Sequence, residues 1–137
     1  MKKTTFLGIL LIAITFFTGC KKDNGSSPTD SFVGVYNVTE SWVENGKTLT
    51  KSDFSMTALK STQNNYEILL NNFANYGAGI TAEAYINGNT ITIPKQTLPN
   101  LKVIDGSGTR TDTTLTITYT ESSKNYSLVI SAIAKRR

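Results

Sequence analysis

Two Asn-Gly pairs, Asn45-Gly46 and Asn87-Gly88, sit between stretches in which apolar and polar residues alternate. This pairing constrains the chain more than any other feature. Alternation with period two marks strands with one buried face. Asn-Gly supplies the two positive φ angles that a two-residue hairpin loop requires. On the first strand Phe32, Gly34, Tyr36, Val38, Glu40 and Trp42 share a face. A second, ragged strand runs from about Thr48 to Lys60 with Phe54, Met56 and Ala58 inward, and Tyr66, Ile68 and Leu70 mark a third.

After a loop over Phe73–Gly79, Ile80, Ala82, Ala84 and Ile86 define a fourth strand, and Thr90–Ile93 a fifth. Pro94 and Pro99 are expected to bracket a longer connection, because neither donates to a sheet ladder. A sixth strand covers about Leu101 to Thr109, with Gly106-Ser107-Gly108 as a bend or close backbone approach. Leu115, Ile117 and Tyr119 carry the seventh strand, and Tyr126, Leu128, Ile130 and Ala132 the eighth. No amphipathic helix pattern interrupts the series. The expected fold is therefore all-β, an eight-stranded antiparallel up-and-down meander closed into a barrel, since closure removes both exposed edges. A sandwich is the alternative, but it usually needs a long crossover.

The N-terminus has a different texture. Lys2-Lys3 precede an apolar run, Phe6–Phe17, that ends in Thr18-Gly19-Cys20. A basic start, a short apolar core and small residues before a cleavage point are the pattern of a secretory signal. The apolar core falls short of the ~20 residues of a spanning helix. The arrangement resembles a bacterial lipobox, with Phe17 where leucine is usual. That resemblance implies a signal peptide over residues 1–19 and a diacylated Cys20, which is the chain's single cysteine. Residues 20–30 hold the lipidated cysteine and a flexible tether, leaving 31–137 as the folded domain. Tether and lipid imply attachment to the cell envelope at the outer membrane, on its periplasmic or its surface side.

Charge narrows the partners. Of the 14 Lys and Arg, Lys2 and Lys3 fall in the signal, which leaves 12 against 10 Asp and Glu and a formal charge of only +2. No basic stripe interleaved with aromatics crosses the domain, so nucleic acid is not an expected partner. The chain has no histidine, and with Cys20 acylated no thiol remains, so the usual nucleophile–base pairs and zinc sites have no residues to build them. No catalytic residue, metal or cofactor is expected, and the domain is expected to be a monomeric non-enzyme. Glu40 is the one acid that alternation turns inward. Glu67, Glu83 and Glu121 are expected outward, and Tyr36, Tyr66, Tyr119 and Tyr126 inward.

Phe32-Val33-Gly34-Val35-Tyr36 resembles the Phe-x-Gly-x-Trp opening of lipocalin-like (calycin) domains, with tyrosine for tryptophan. Tyr66-Glu67-Ile68, Ile91-Thr92-Ile93-Pro94 and Gly106-Ser107-Gly108-Thr109 are similar to segments of small Bacteroidota lipoproteins with a lipocalin-like domain. Thr111-Asp112-Thr113 is a faint echo of the second lipocalin motif, and a helix packed beside the barrel has no counterpart pattern. The resemblance implies a barrel closed at one end, where Gly34 makes room for an aromatic ring and Lys135 or Arg136 packs against it. Together with the aromatic inward face, it leads to the expectation of a small apolar ligand at the open end, where alternation places Glu40 and Trp42 beside Phe54, Met56 and Tyr119, with Glu40 fixing one polar or cationic group. The alternative is an interaction lipoprotein with a filled barrel, meeting another envelope or extracellular protein through the loop Phe73–Gly77.

Overall fold

The computed structural model describes residues 25–137; the signal segment and Cys20 lie outside them. Eight antiparallel strands follow one another: β1 (Gly34–Glu44), β2 (Lys47–Lys60), β3 (Glu67–Asn71), β4 (Thr81–Asn87), β5 (Thr90–Thr97), β6 (Val103–Thr111), β7 (Thr114–Ser123) and β8 (Tyr126–Arg136). Each pairs with the next and β8 pairs with β1, so the sheet is a closed up-and-down barrel, consistent with a lipocalin-like fold. No sandwich crossover exists among these strands.

The two Asn-Gly signals act differently. Asn45 (φ 51) and Gly46 (φ 73) both take the left-handed conformation that a type I′ turn requires. In the other hairpin Asn87 pairs with Thr90, so the loop residues are Gly88 and Asn89, and only Gly88 has positive φ (59). That is the type II′ pattern, with glycine first. Pro94 lies within β5 rather than outside it. The β5–β6 register shifts between Ile93 and Gln96, and this irregularity accommodates a residue that cannot donate.

The barrel interior is filled by complementary sizes. Ile68, Leu70, Ile91, Ile93, Leu115 and Ile117 are at most 1 % exposed. Gly106 faces Tyr119 and Gly108 faces Ile117 across the β6–β7 ladder. A Cβ on Gly106 would stand 2.5 Å from Thr118 O and 2.6 Å from Tyr119 Cβ, so the glycines admit the close approach of β7.

One end is closed. A 3-10 turn, Pro28–Ser31, precedes β1 and buries Thr29. Tyr36 donates its hydroxyl to Phe32 O at 2.6 Å. Arg136 donates Nη1–H to Ser31 O (3.1 Å) and Val33 O (3.4 Å), capping the carbonyls that end the turn. Its stem crosses Gly34 so closely that a Cβ there would lie 2.8 Å from Arg136 Cδ. Gly34 thus makes room for the arginine stem and not for an aromatic ring. Lys135 is exposed and takes no part. The cation over an aromatic face is instead Arg110, 5.4 Å from the Phe32 ring centre.

Candidate functional site: the open mouth of the barrel

At the opposite end the filling stops and a cavity of about 620 Å³ opens between β1, β2, β7 and β8. Glu40 and Trp42 from β1 and Tyr119 from β7 line it, as expected from alternation. Phe54 and Met56 do not. They pair with Val38 and Tyr36 deeper in the barrel and are 6 % and 1 % exposed, so they belong to the packed floor.

Three further residues were not foreseen. Lys51 would face solvent if β2 alternated without interruption. The β1–β2 register shifts between Val38 and Glu40, and Asp53 takes positive φ (63) in the extra residue opposite it. A one-residue slip moves every following side chain to the other face. Lys51 thereby stands opposite Glu40 in the β1–β2 ladder and lines the cavity. Glu121 follows Tyr119 by two residues, which puts it on the inward face; it is 8 % exposed and lines the mouth, overturning its outward assignment. The third is Tyr76, which the 73–79 loop delivers to the same cavity.

The other outward and inward assignments divide. Glu83 is exposed as expected. Glu67 is not: it is 7 % exposed at the start of β3, where its N–H donates to Asn64 O (3.1 Å) and its carbonyl accepts from Ser61 N (3.1 Å), folding the β2–β3 turn around it. Tyr66 lies just before the strand and is 57 % exposed. Tyr126, at the start of β8, keeps its ring at the rim of the cavity.

The loop expected to present aromatics outward turns inward. Phe73 and Ala74 are buried, and the Phe73 ring meets Tyr119 edge-on at 4.8 Å and 60°. Asn72, Ala74 and Asn75 all take positive φ to make this reversal. Asn72 secures it, with Nδ2–H donating to Ser55 O (2.6 Å) and Oδ1 accepting from Gly77 N (2.8 Å). Lys51 donates Nζ–H to Ala74 O at 2.8 Å, which ties the loop to the barrel wall.

Polar groups in the mouth form two clusters. Glu40 Oε1 accepts from Tyr119 Oη at 2.8 Å. Glu121 accepts from Tyr126 Oη and pairs with Lys102 Nζ at 3.0 Å. Burial pushes the Glu40 carboxyl above its ordinary range; Tyr119 and Lys51 oppose that rise and the Glu121 charge adds to it. Burial likewise raises Glu121, with Lys51 opposing. Tyr119 is raised by burial and by the neighbouring carboxylate, so its proton stays on the phenol and donates to Glu40. The hydroxyl of Tyr76 is buried with no hydrogen-bond partner. Among the described residues no group of three or more His, Cys, Asp or Glu could hold a metal ion. The arrangement is one of fixed charges and ring faces around a space, and it can bind a small molecule with both an apolar part and a polar one.

No protein-family model matches this chain, and no curated protein matches it either.

Proposed function

We propose that this protein is a non-enzymatic, lipid-anchored binding domain that takes a small, mainly apolar ligand into the open mouth of its barrel. The observation that carries the reading is the cavity of about 620 Å³ lined by Glu40, Trp42, Tyr76 and Tyr119. Its size lies within the usual range for small-molecule pockets, and its walls combine ring faces with a few convergent polar groups. The aromatic faces supply apolar contact, and Glu40 fixes one polar group of the ligand. Acylation of Cys20 would hold this domain in the cell envelope, at the outer membrane. Two acyl chains are expected, because one gives only marginal membrane binding.

The test uses the single tryptophan, Trp42, as reporter. A screen of fatty acids, sterols, haem and aromatic metabolites should shift its emission saturably for at least one class, and Glu40→Gln should weaken that response. A flat response to every class would remove the pocket reading.

A second reading has its own support. On the outer face Val43 (63 %), Val129 (60 %) and Ile133 (49 %) are exposed, and Val43 and Val129 line a shallow groove along β1 and β8. An interaction lipoprotein would use this face, and not the inward-turned Phe73–Gly77 loop, to meet another envelope component.

A further inference from the structure

We propose that the ligand of the barrel mouth carries a protonated amine, seated between Glu40 and Glu121, with its hydrocarbon part against Trp42, Tyr76 and Tyr126. This deepens the small-molecule reading of the cavity and rests on it.

The charge inventory of the walls gives the sign. Glu40 and Glu44 from β1 and Glu121 from β7 line the cavity, and Lys51 is the one cationic side chain among the described lining residues. Lys51 is already committed. Its Nζ donates to Ala74 O at 2.8 Å and stands 5.6 Å and 5.8 Å from the ring centres of Phe54 and Tyr76. It forms no ion pair with Glu40 or Glu121 among the described residues. Lys102, the other ammonium nearby, pairs with Glu121 from outside the cavity.

Glu40 is therefore 3 % exposed with a neutral phenol as its hydrogen-bond partner. A buried carboxylate in that condition is poorly compensated. Burial raises the proton affinity of both Glu40 and Glu121, with Lys51 only partly opposing it, so a further positive charge beside them would be favoured. An ammonium group placed between them would supply that charge. A carboxylate or phosphate ligand would meet the carboxyls of Glu40 and Glu121 in a partly desolvated space, with Glu44 at the exposed rim, and would gain no ion pair from them. The mouth also offers what an ammonium needs besides charge. Ring faces attract cations, and the unpartnered Tyr76 hydroxyl is an acceptor for a further N–H.

The experiment compares octylamine, octanol and octanoate, which share a chain and differ in the head group, by titration of Trp42 emission in the intact protein at pH 7. Octylamine should bind about tenfold or more tighter than octanol, and octanoate weaker than either, as expected for a buried charge pair. Glu40→Gln should remove the advantage of the amine and leave octanol unchanged. Glu121→Gln should reduce it independently, and serves if Glu40→Gln fails to fold. Added salt should weaken the amine alone. Equal binding of all three, or preference for octanol or octanoate, overturns the amine assignment while leaving a pocket. No shift with any of the three overturns the pocket itself.

Discussion

Tyr119 on β7 donates its hydroxyl to Glu40 on β1 at 2.8 Å, joining two strands that are not neighbours across the mouth of the barrel. The bond marks the level at which apolar filling ends and the cavity begins. Tyr119→Phe leaves Glu40 buried without its donor, and the expected loss of stability is about 1–3 kcal/mol. Adding Glu40→Gln should recover part of it, so chemical denaturation of the two single variants and the double variant should reveal coupling. Strict additivity would show the bond to be energetically idle.

Stability should also depend on pH in a definite direction. Glu40 and Glu121 both hold protons more tightly in the folded chain than their ordinary value of 4.5. The folded state then binds more protons than the unfolded one, so their contribution is greatest below 4.5 and is lost as pH rises through the folded values. Denaturation midpoints measured from pH 4 to pH 8 should show this decline superimposed on other groups. Glu40→Gln should flatten the curve, and a steeper decline in that variant would contradict the assignment.

Two glycines separate steric from conformational demands. Gly106→Ala drives a Cβ into Thr118 O and Tyr119 Cβ and should cost about 1–3 kcal/mol, as overpacking usually does. Gly46→Ala meets no neighbour within 4 Å but sits at φ 73, where a side chain costs about 1–2 kcal/mol. Thermal denaturation should rank them in that order, with Gly106→Ala also disturbing the environment of Tyr119.

At the closed end, Arg136→Ala removes the donor to Ser31 O and Val33 O and uncovers Gly34. A loss of about 1–3 kcal/mol is expected from the freed carbonyls. Lys135→Ala, at an exposed site, should be close to neutral. Equal effects from the two would refute the capping role.

The architecture was legible because a closed meander repeats one simple signal. Each strand alternates, and Asn45-Gly46 fixes the first hairpin. What escaped sequence reading lay wherever that period breaks. The bulge near Asp53 brings Lys51 inward, and no residue pattern announces the slip. Three positive φ angles turn Phe73 and Ala74 into the barrel, although the same residues in a regular loop would face solvent. Pro94 reads as a strand terminator because it cannot donate to a ladder, and the register shift that accommodates it has no signal in the sequence. Glu121 is different: its spacing from Tyr119 already placed it inward. Glu40, Trp42, Tyr119 and Glu121 follow from period two alone; Lys51 and Tyr76 depend on irregular backbone.

The proposed anchor has a separate test. The mature protein isolated from membranes should begin at Cys20 and carry diacylglycerol there, and Cys20→Ala should release it or leave the signal segment uncut. A mature chain that starts elsewhere and stays soluble would contradict the envelope assignment.

The most direct test of a ligand-binding mouth is native mass spectrometry of the protein purified from its own host. One small molecule is expected to be retained per folded chain and released on unfolding, with a basic nitrogen and an apolar body in its composition. Folded protein that carries only its covalent lipid, at every preparation, would contradict it.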